Sequence, residues 1–139
     1  MEITANAIQT VAAKANVIFT DTTVCGNCSI MHREGSGLVT LRGLTNQCRA
    51  RFRVSFGGNI ALPTGGTVGP ISLAIAVNGE PVATTTMIST PAAVEEFINV
   101  FSAIFLDVPK GCCSQISVRK ISDQPIDVQN ANLIVERVA

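Results

Sequence analysis

The chain has no tryptophan, no tyrosine, a single histidine and little charge: of 139 residues only 14% are Asp, Glu, Lys or Arg, and the formal net charge is zero. Each shortage excludes something. Neutrality argues against nucleic acid, which asks for a basic field. Without Trp or Tyr, a sugar site loses the ring faces with a polar edge on which such sites usually rely. With one histidine, any Ser-His-Asp or Cys-His arrangement would have to use His32, and no nucleophile stands beside it in Ile30-Met-His-Arg33. A structural histidine is expected there. No unbroken apolar run is long enough to span a membrane. The first residues, Met1-Glu-Ile-Thr-Ala-Asn6, lack a basic and apolar secretory pattern, so the expectation is a chain made in the cytoplasm. No Asp-x-Asp calcium loop occurs, and Gly57-Gly58 and Gly65-Gly66-Thr67 lack the Lys-Ser/Thr of a phosphate loop.

What is present is apolar residue, at 47%, more than a lone domain of this charge needs to stay soluble. The surplus is expected to meet other copies of the chain. One domain over 1–139 is expected. Cys48-Arg-Ala-Arg-Phe-Arg-Val-Ser-Phe56 alternates strictly, with Ala50, Phe52, Val54 and Phe56 on one face, and reads as a half-buried strand stopped by Gly57-Gly58. Arg49, Arg51 and Arg53, with Arg42 nearby, are expected to meet carboxylates at a subunit contact. Ile71–Val77 runs into Asn78-Gly79 and restarts as a strand over Val82–Ile88, since Asn-Gly supplies both positive φ angles of a type I′ hairpin turn.

Around that centre, residues 6–20 are expected to hold two short strands, one weakly patterned by Ile8, Val11 and Ala13 and a clearer one at Val17–Phe19. A loop is expected at 21–27, then strands at Ser29–Arg33, Leu38–Arg42, Ile116–Lys120, Ile126–Val128 and Asn132–Val138. Pro91–Val108 fits two patterns: Val94, Phe97, Ile98, Phe101 and Phe105 make a helical face, whereas Ile98, Val100, Ile104 and Leu106 make a strand face. A strand is expected, because its neighbours are strands and Pro109-Lys-Gly111 is a turn. About ten short strands give an all-β antiparallel sandwich or jelly roll.

The alternating strand ending in glycine, the Ile-x-Leu-x-Ile-x-Val-Asn-Gly hairpin, the apolar strand closed by Val108-Pro-Lys-Gly111 and the terminal Asn130-Ala-Asn-Leu-Ile-Val135 follow one another in an order that resembles the tumour-necrosis-factor-like (complement globular head) jelly roll. The likeness runs over roughly residues 6–138. It is strongest to the bacterial and phage branch, including the heads of collagen-like spore-surface glycoproteins. The resemblance implies a ten-stranded jelly roll that forms homotrimers through apolar strand faces. Two departures are visible: no Gly-x-y stalk is present, and the cysteines are not part of the general pattern.

Those cysteines are the only candidates for special chemistry. Cys25-Gly-Asn-Cys28, Cys48 and Cys112-Cys113 should all lie towards one end of the sandwich if the jelly-roll order holds. Three fates stay open: free buried thiols, one or more disulfides within or between subunits, or a tetrahedral zinc site of Cys25, Cys28 and Cys48 completed by Cys112 or Cys113. Glu95-Glu96 reads as solvated charge. No catalytic residue and no cofactor are expected. The function expected is non-enzymatic: a self-assembling homotrimer or higher assembly on a particle surface, as a phage virion component or spore coat, with a capsid, coat or cell-surface partner. A trimeric receptor- or glycan-binding head is the alternative.

Overall fold

A computed structural model describes residues 1–12, 14–26 and 28–139. Ala13 of the first expected strand and Asn27 of the Cys-x-x-Cys loop lie outside them. Twelve strands run in the order β1 (Glu2–Ala5), β2 (Gln9–Val11), β3 (Asp21–Val24), β4 (Ile30–His32), β5 (Val39–Arg42), β6 (Arg49–Ala61), β7 (Ile71–Val77), β8 (Glu80–Pro81), β9 (Met87–Ser89), β10 (Ile98–Pro109), β11 (Cys113–Lys120) and β12 (Ile126–Arg137). They form two six-stranded antiparallel sheets. One has the order β10-β6-β12-β1-β3, with β2 also on β12; the other has β4-β5-β11-β7-β8, with β9 also on β7.

The alternation of the long strand places Ala50, Phe52, Val54 and Phe56 wholly inside, against Leu41, Leu73, Ile75, Val118 and Val135 of the core. Phe56 and Phe19 meet edge-on at 6.4 Å between ring centres, a favoured aromatic geometry.

Several expectations need correction. Gly57-Gly58 does not end β6, which continues to Ala61. Gly57 is held in ladders from two sides, by Phe101 and Asn132, and Gly58 from one, by Val100. A Cβ on Gly58 would stand 3.3 Å from the Ala131 Cα, so glycine here marks close backbone approach. The approach is made by a bulge in β12, where the register shifts between Gln129 and Asn132 and Asn130 takes φ +54°. The two expected strands 126–128 and 132–138 are therefore one bulged strand. Among the described residues there are twelve strands where about ten were expected, several of them very short.

Asp21–Val24 is a strand, not a loop. It pairs with β1, which lies ahead of the expected first strand. Val17–Phe19 is not a strand: it is a connector that buries Val17 and Phe19 and exposes Ile18, with isolated bridges at Asn16 to Arg119 and Phe19 to Ser36. Asn78 and Gly79 take φ +52° and +86°, as a type I′ turn requires. The strand expected over Val82–Ile88 is broken, however. Pro81, the last residue of β8, has no N–H to donate to the ladder, and a 3-10 turn at Ala83–Thr85 intervenes before β9. Pro91–Val108 does hold a strand, starting at Ile98; its twelve residues pair with β6 without a slip, which excludes the helical face.

Candidate assembly surface and thiol end

β10 is the edge of its sheet and pairs only with β6 among the strands of that sheet. The register fixes its faces. Ile104, Leu106 and Val108 oppose Val54, Phe52 and Ala50 and point inwards. Phe101, Ala103 and Phe105 oppose Gly57, Ser55 and Arg53 and point outwards. Phe101 is 63% exposed and Phe105 67%. Ile134 of β12, opposite Ser55, adds a further exposed apolar side chain to the same outer face. Even the inward Val100, Ile104 and Leu106 are only half-buried, because β10 has a strand neighbour in its sheet on one side, β6, and among the described residues no strand on the other. In the sequence Phe101 and Phe105 belong only to the helical alternative, while the strand expected there has Ile98, Val100, Ile104 and Leu106 as its face. The outward aim of Phe101 and Phe105 follows from parity alone, once Ile104 and Leu106 are placed inside.

Below this stripe the outer face is charged. Arg51 Nε donates to Asp107 Oδ1 at 2.8 Å, Arg49 Nε lies 3.1 Å from Asp107 Oδ2, and Arg53 lies 3.6 Å from Glu136. Arg49, Arg51 and Arg53 thus meet carboxylates within their own chain, and Arg42 instead donates to Met31 Sδ at 3.8 Å. The hydrogen bonds from Arg51, with the attraction of Arg51 and Arg49, hold the Asp107 carboxyl below its ordinary range against the opposing effect of desolvation.

The five cysteines lie at one end, as the jelly-roll order implied. Cys25 follows β3, Cys28 leads into β4, Cys48 leads into β6, and Cys112 and Cys113 join β10 to β11. The backbone ties these loops together: Gly43 N–H donates to Cys112 O at 2.9 Å, Lys110 N–H to Cys48 O at 3.0 Å and Arg42 N–H to Ser29 O at 2.8 Å. All five thiols are free and exposed, so the expectation of buried thiols is corrected: each sits in a loop or at a strand's first residue rather than on an inward face. Among the described residues, no group of three or more His, Cys, Asp or Glu side chains is arranged to hold a metal ion. Both termini come to the same end. The Met1 ammonium donates to Val135 O at 2.7 Å, Gly26 packs against Met1, and Arg51 N–H donates to Ala139 O at 3.1 Å.

His32 is half-buried, edge-on to Phe19, with Nε2 2.9 Å from Ser36 O. A carbonyl only accepts, so Nε2 carries the proton. Its Nδ1 is buried without a hydrogen-bond partner. The Glu95 carboxylate accepts from the Thr64 hydroxyl, and Glu96 is exposed; both precede β10 rather than lying on it. Lys120, which drew no notice in the sequence, is 1% exposed. Its Nζ donates to Ser122 O. Desolvation lowers its pKa, and the charge of Asp123 partly opposes this.

No protein-family model matches the chain, and no curated protein matches it in sequence. Solved structures do. The globular domain of the zebrafish complement 1qA protein superposes with a TM-score of 0.61 over 99% of this chain and 95% of that one, at 10% identity. The C-terminal domain of EclA, a sugar-binding protein, gives a TM-score of 0.44 at 12% identity, over 95% of this chain and 79% of that one. The CBM22-1 xylan-binding domain of Paenibacillus barcinonensis Xyn10C gives 0.37 at 12% identity, over 99% and 87%. The first of these, with the two antiparallel sheets, defines the class: the chain is an all-β jelly roll of the tumour-necrosis-factor-like type.

Proposed function

We propose that this chain is a non-enzymatic, self-assembling jelly roll that forms a homotrimer through the outer face and open edge of β10. We place it in the bacterial or phage branch of its fold class, as a component of a virion or spore surface. The observation that carries the assembly is the outward stripe Phe101–Ala103–Phe105 on an edge strand, more than half exposed at both phenylalanines. Burying a Phe side chain is worth about 1.5–3 kcal/mol, and the stripe is repeated in every copy. A contiguous apolar edge flanked by the charged pairs of Arg51 and Arg53 has the anatomy of an interface core with a polar rim.

The test is native mass by size exclusion with light scattering, in reductant. Three chains per particle are expected for the native protein, and single chains for Phe101→Ser/Phe105→Ser with an unchanged far-ultraviolet spectrum. A native monomer at micromolar concentration would refute the reading.

A further inference from the structure

We propose that the terminus-bearing end is a covalent coupling surface, where Cys25 or Cys28 of one copy forms a disulfide with Cys112 or Cys113 of the next. The inference rests on the assembly just described. Four observations carry it. The first is placement: all five cysteines are exposed and all are at one end, while the loops 62–70, 90–97 and 121–125 at the other end carry none.

The second is separation within one chain. Cys25 follows β3 and Cys112 follows β10, the two outer strands of one sheet, four strand spacings of ~4.8 Å apart, or about 19 Å. In the other sheet, Arg42 of β5 is bonded to Ser29 on one side and paired with Cys113 on the other. That sets Ser29 and Cys113 two spacings apart, about 10 Å. A disulfide needs Cα atoms within about 7 Å; Ser29, next to Cys28, lies beyond that from Cys113, and Cys25 and Cys112 lie further apart still.

The third is the kind of contact. A closed ring of identical copies uses two different patches, one on each copy. This end offers two different thiol groups, one at the β3 side and one at the β10 side, and β10 is the strand that meets the neighbour. The fourth is number: five thiols cannot all pair inside one chain. One bond per contact uses one thiol from each group of every copy and leaves three of the five, Cys48 among them, single.

The chemistry is thiol–disulfide exchange. A thiol of one copy loses its proton and attacks a small-molecule disulfide, releasing one small thiol. The neighbour's thiol then attacks the mixed disulfide and releases the second. Two protein thiols are oxidised, and the small disulfide is reduced to two thiols that take up the two protons.

The experiment uses the full chain in oxidised glutathione, non-reducing electrophoresis and mass-spectrometric mapping of the bonds. The wild type is expected to give covalent dimers and trimers and to stop at three. Cys25→Ser/Cys28→Ser and Cys112→Ser/Cys113→Ser should each lose every covalent multimer. Co-expressed with different tags, the two variants should recover covalent pairs containing one chain of each. Covalent multimers persisting in either variant alone, within-chain bonds only, or glutathione adducts only would each overturn the proposal. Native mass in reductant separates the two ideas. A monomer there defeats the assembly; a reductant-stable trimer whose thiols stay unlinked defeats only the coupling.

Discussion

Lys120 is the residue whose chemistry sits least easily in this core. Its ammonium is buried, with a carbonyl for a partner, and burial disfavours the charged form. The folded pKa lies below that of the unfolded chain, near 10.4, so between the two values the unfolded state binds more protons and stability rises with pH. Lys120→Met should abolish that rise. The check is the difference between wild-type and variant urea midpoints, followed from pH 7 to pH 10.5. Asp107 gives a change of the same sign at the acid end. Its lowered carboxyl pKa contributes stability that is present above the unfolded value, near 3.9, and is lost as pH falls through the folded one. Asp107→Asn should lose that contribution, a small one for so exposed a pair, at neutral pH and change nothing at the acid end, which flattens the acid limb of the stability profile. Gly43 is constrained by space instead. A Cβ there would stand 2.1 Å from Pro109 O, a backbone atom with no room to yield. Gly43→Ala should cost about 1–3 kcal/mol, read as a lower melting temperature. None of these three residues carried a signal in the sequence. Burial of Lys120 and crowding at Gly43 both come from chains distant in sequence, which periodicity does not report.

At the scale of elements, the strands read best were those with a buried face and an unbroken ladder. Arg49–Phe56, Ile71–Val77 and Ile116–Lys120 alternate or run apolar because one or both sides face the core. What failed had a physical cause each time. β3 is almost wholly exposed, so Asp21-Thr-Thr-Val24 shows no apolar alternation, and its Thr and Val side chains are strand formers without a pattern. The glycines of β6 read as punctuation because the bulge they accommodate lies on β12, seventy residues away in sequence. The break after Pro81 is repaired by a side chain: buried Thr85 Oγ1 accepts from Ile75 N–H at 3.0 Å and donates to Val82 O at 2.7 Å. Thr85→Val keeps the shape and strands that N–H without a partner, at a cost of about 1–3 kcal/mol. Hydrogen exchange at the Ile75 amide should quicken in the variant, while that at Val54 should follow global stability alone.

For the whole molecule, composition spoke earlier than any motif. A neutral, sparsely charged chain with a surplus of apolar residue asks for a partner, and the structure puts part of that surplus on the open edge at Phe101 and Phe105. An oligomer that unfolds to single chains is stabilised by its own concentration. The melting temperature of the wild type in reductant should therefore climb as protein concentration is raised, and that of Phe101→Ser/Phe105→Ser should not. The assembly surface was half legible in the sequence: the residues were visible, but two periods competed for them until the ladder with β6 chose one. The thiol end was legible as an end, because strand order alone gathers the loops that hold Cys25, Cys28, Cys48, Cys112 and Cys113; the exposure of the thiols was not.

Met1 and Ala139 leave the sandwich at the same pole, and this gives the molecule a direction. Whatever is tethered to either terminus, a tag, a second domain or a solid support, is carried at that pole. The antipode, made of the Pro- and Gly-rich loop 62–70 with 90–97 and 121–125, is then always the face presented to the surroundings. Loop tips of this kind tolerate insertion. A peptide grafted between Gly65 and Gly66 would be displayed outward in every orientation-controlled array of the protein.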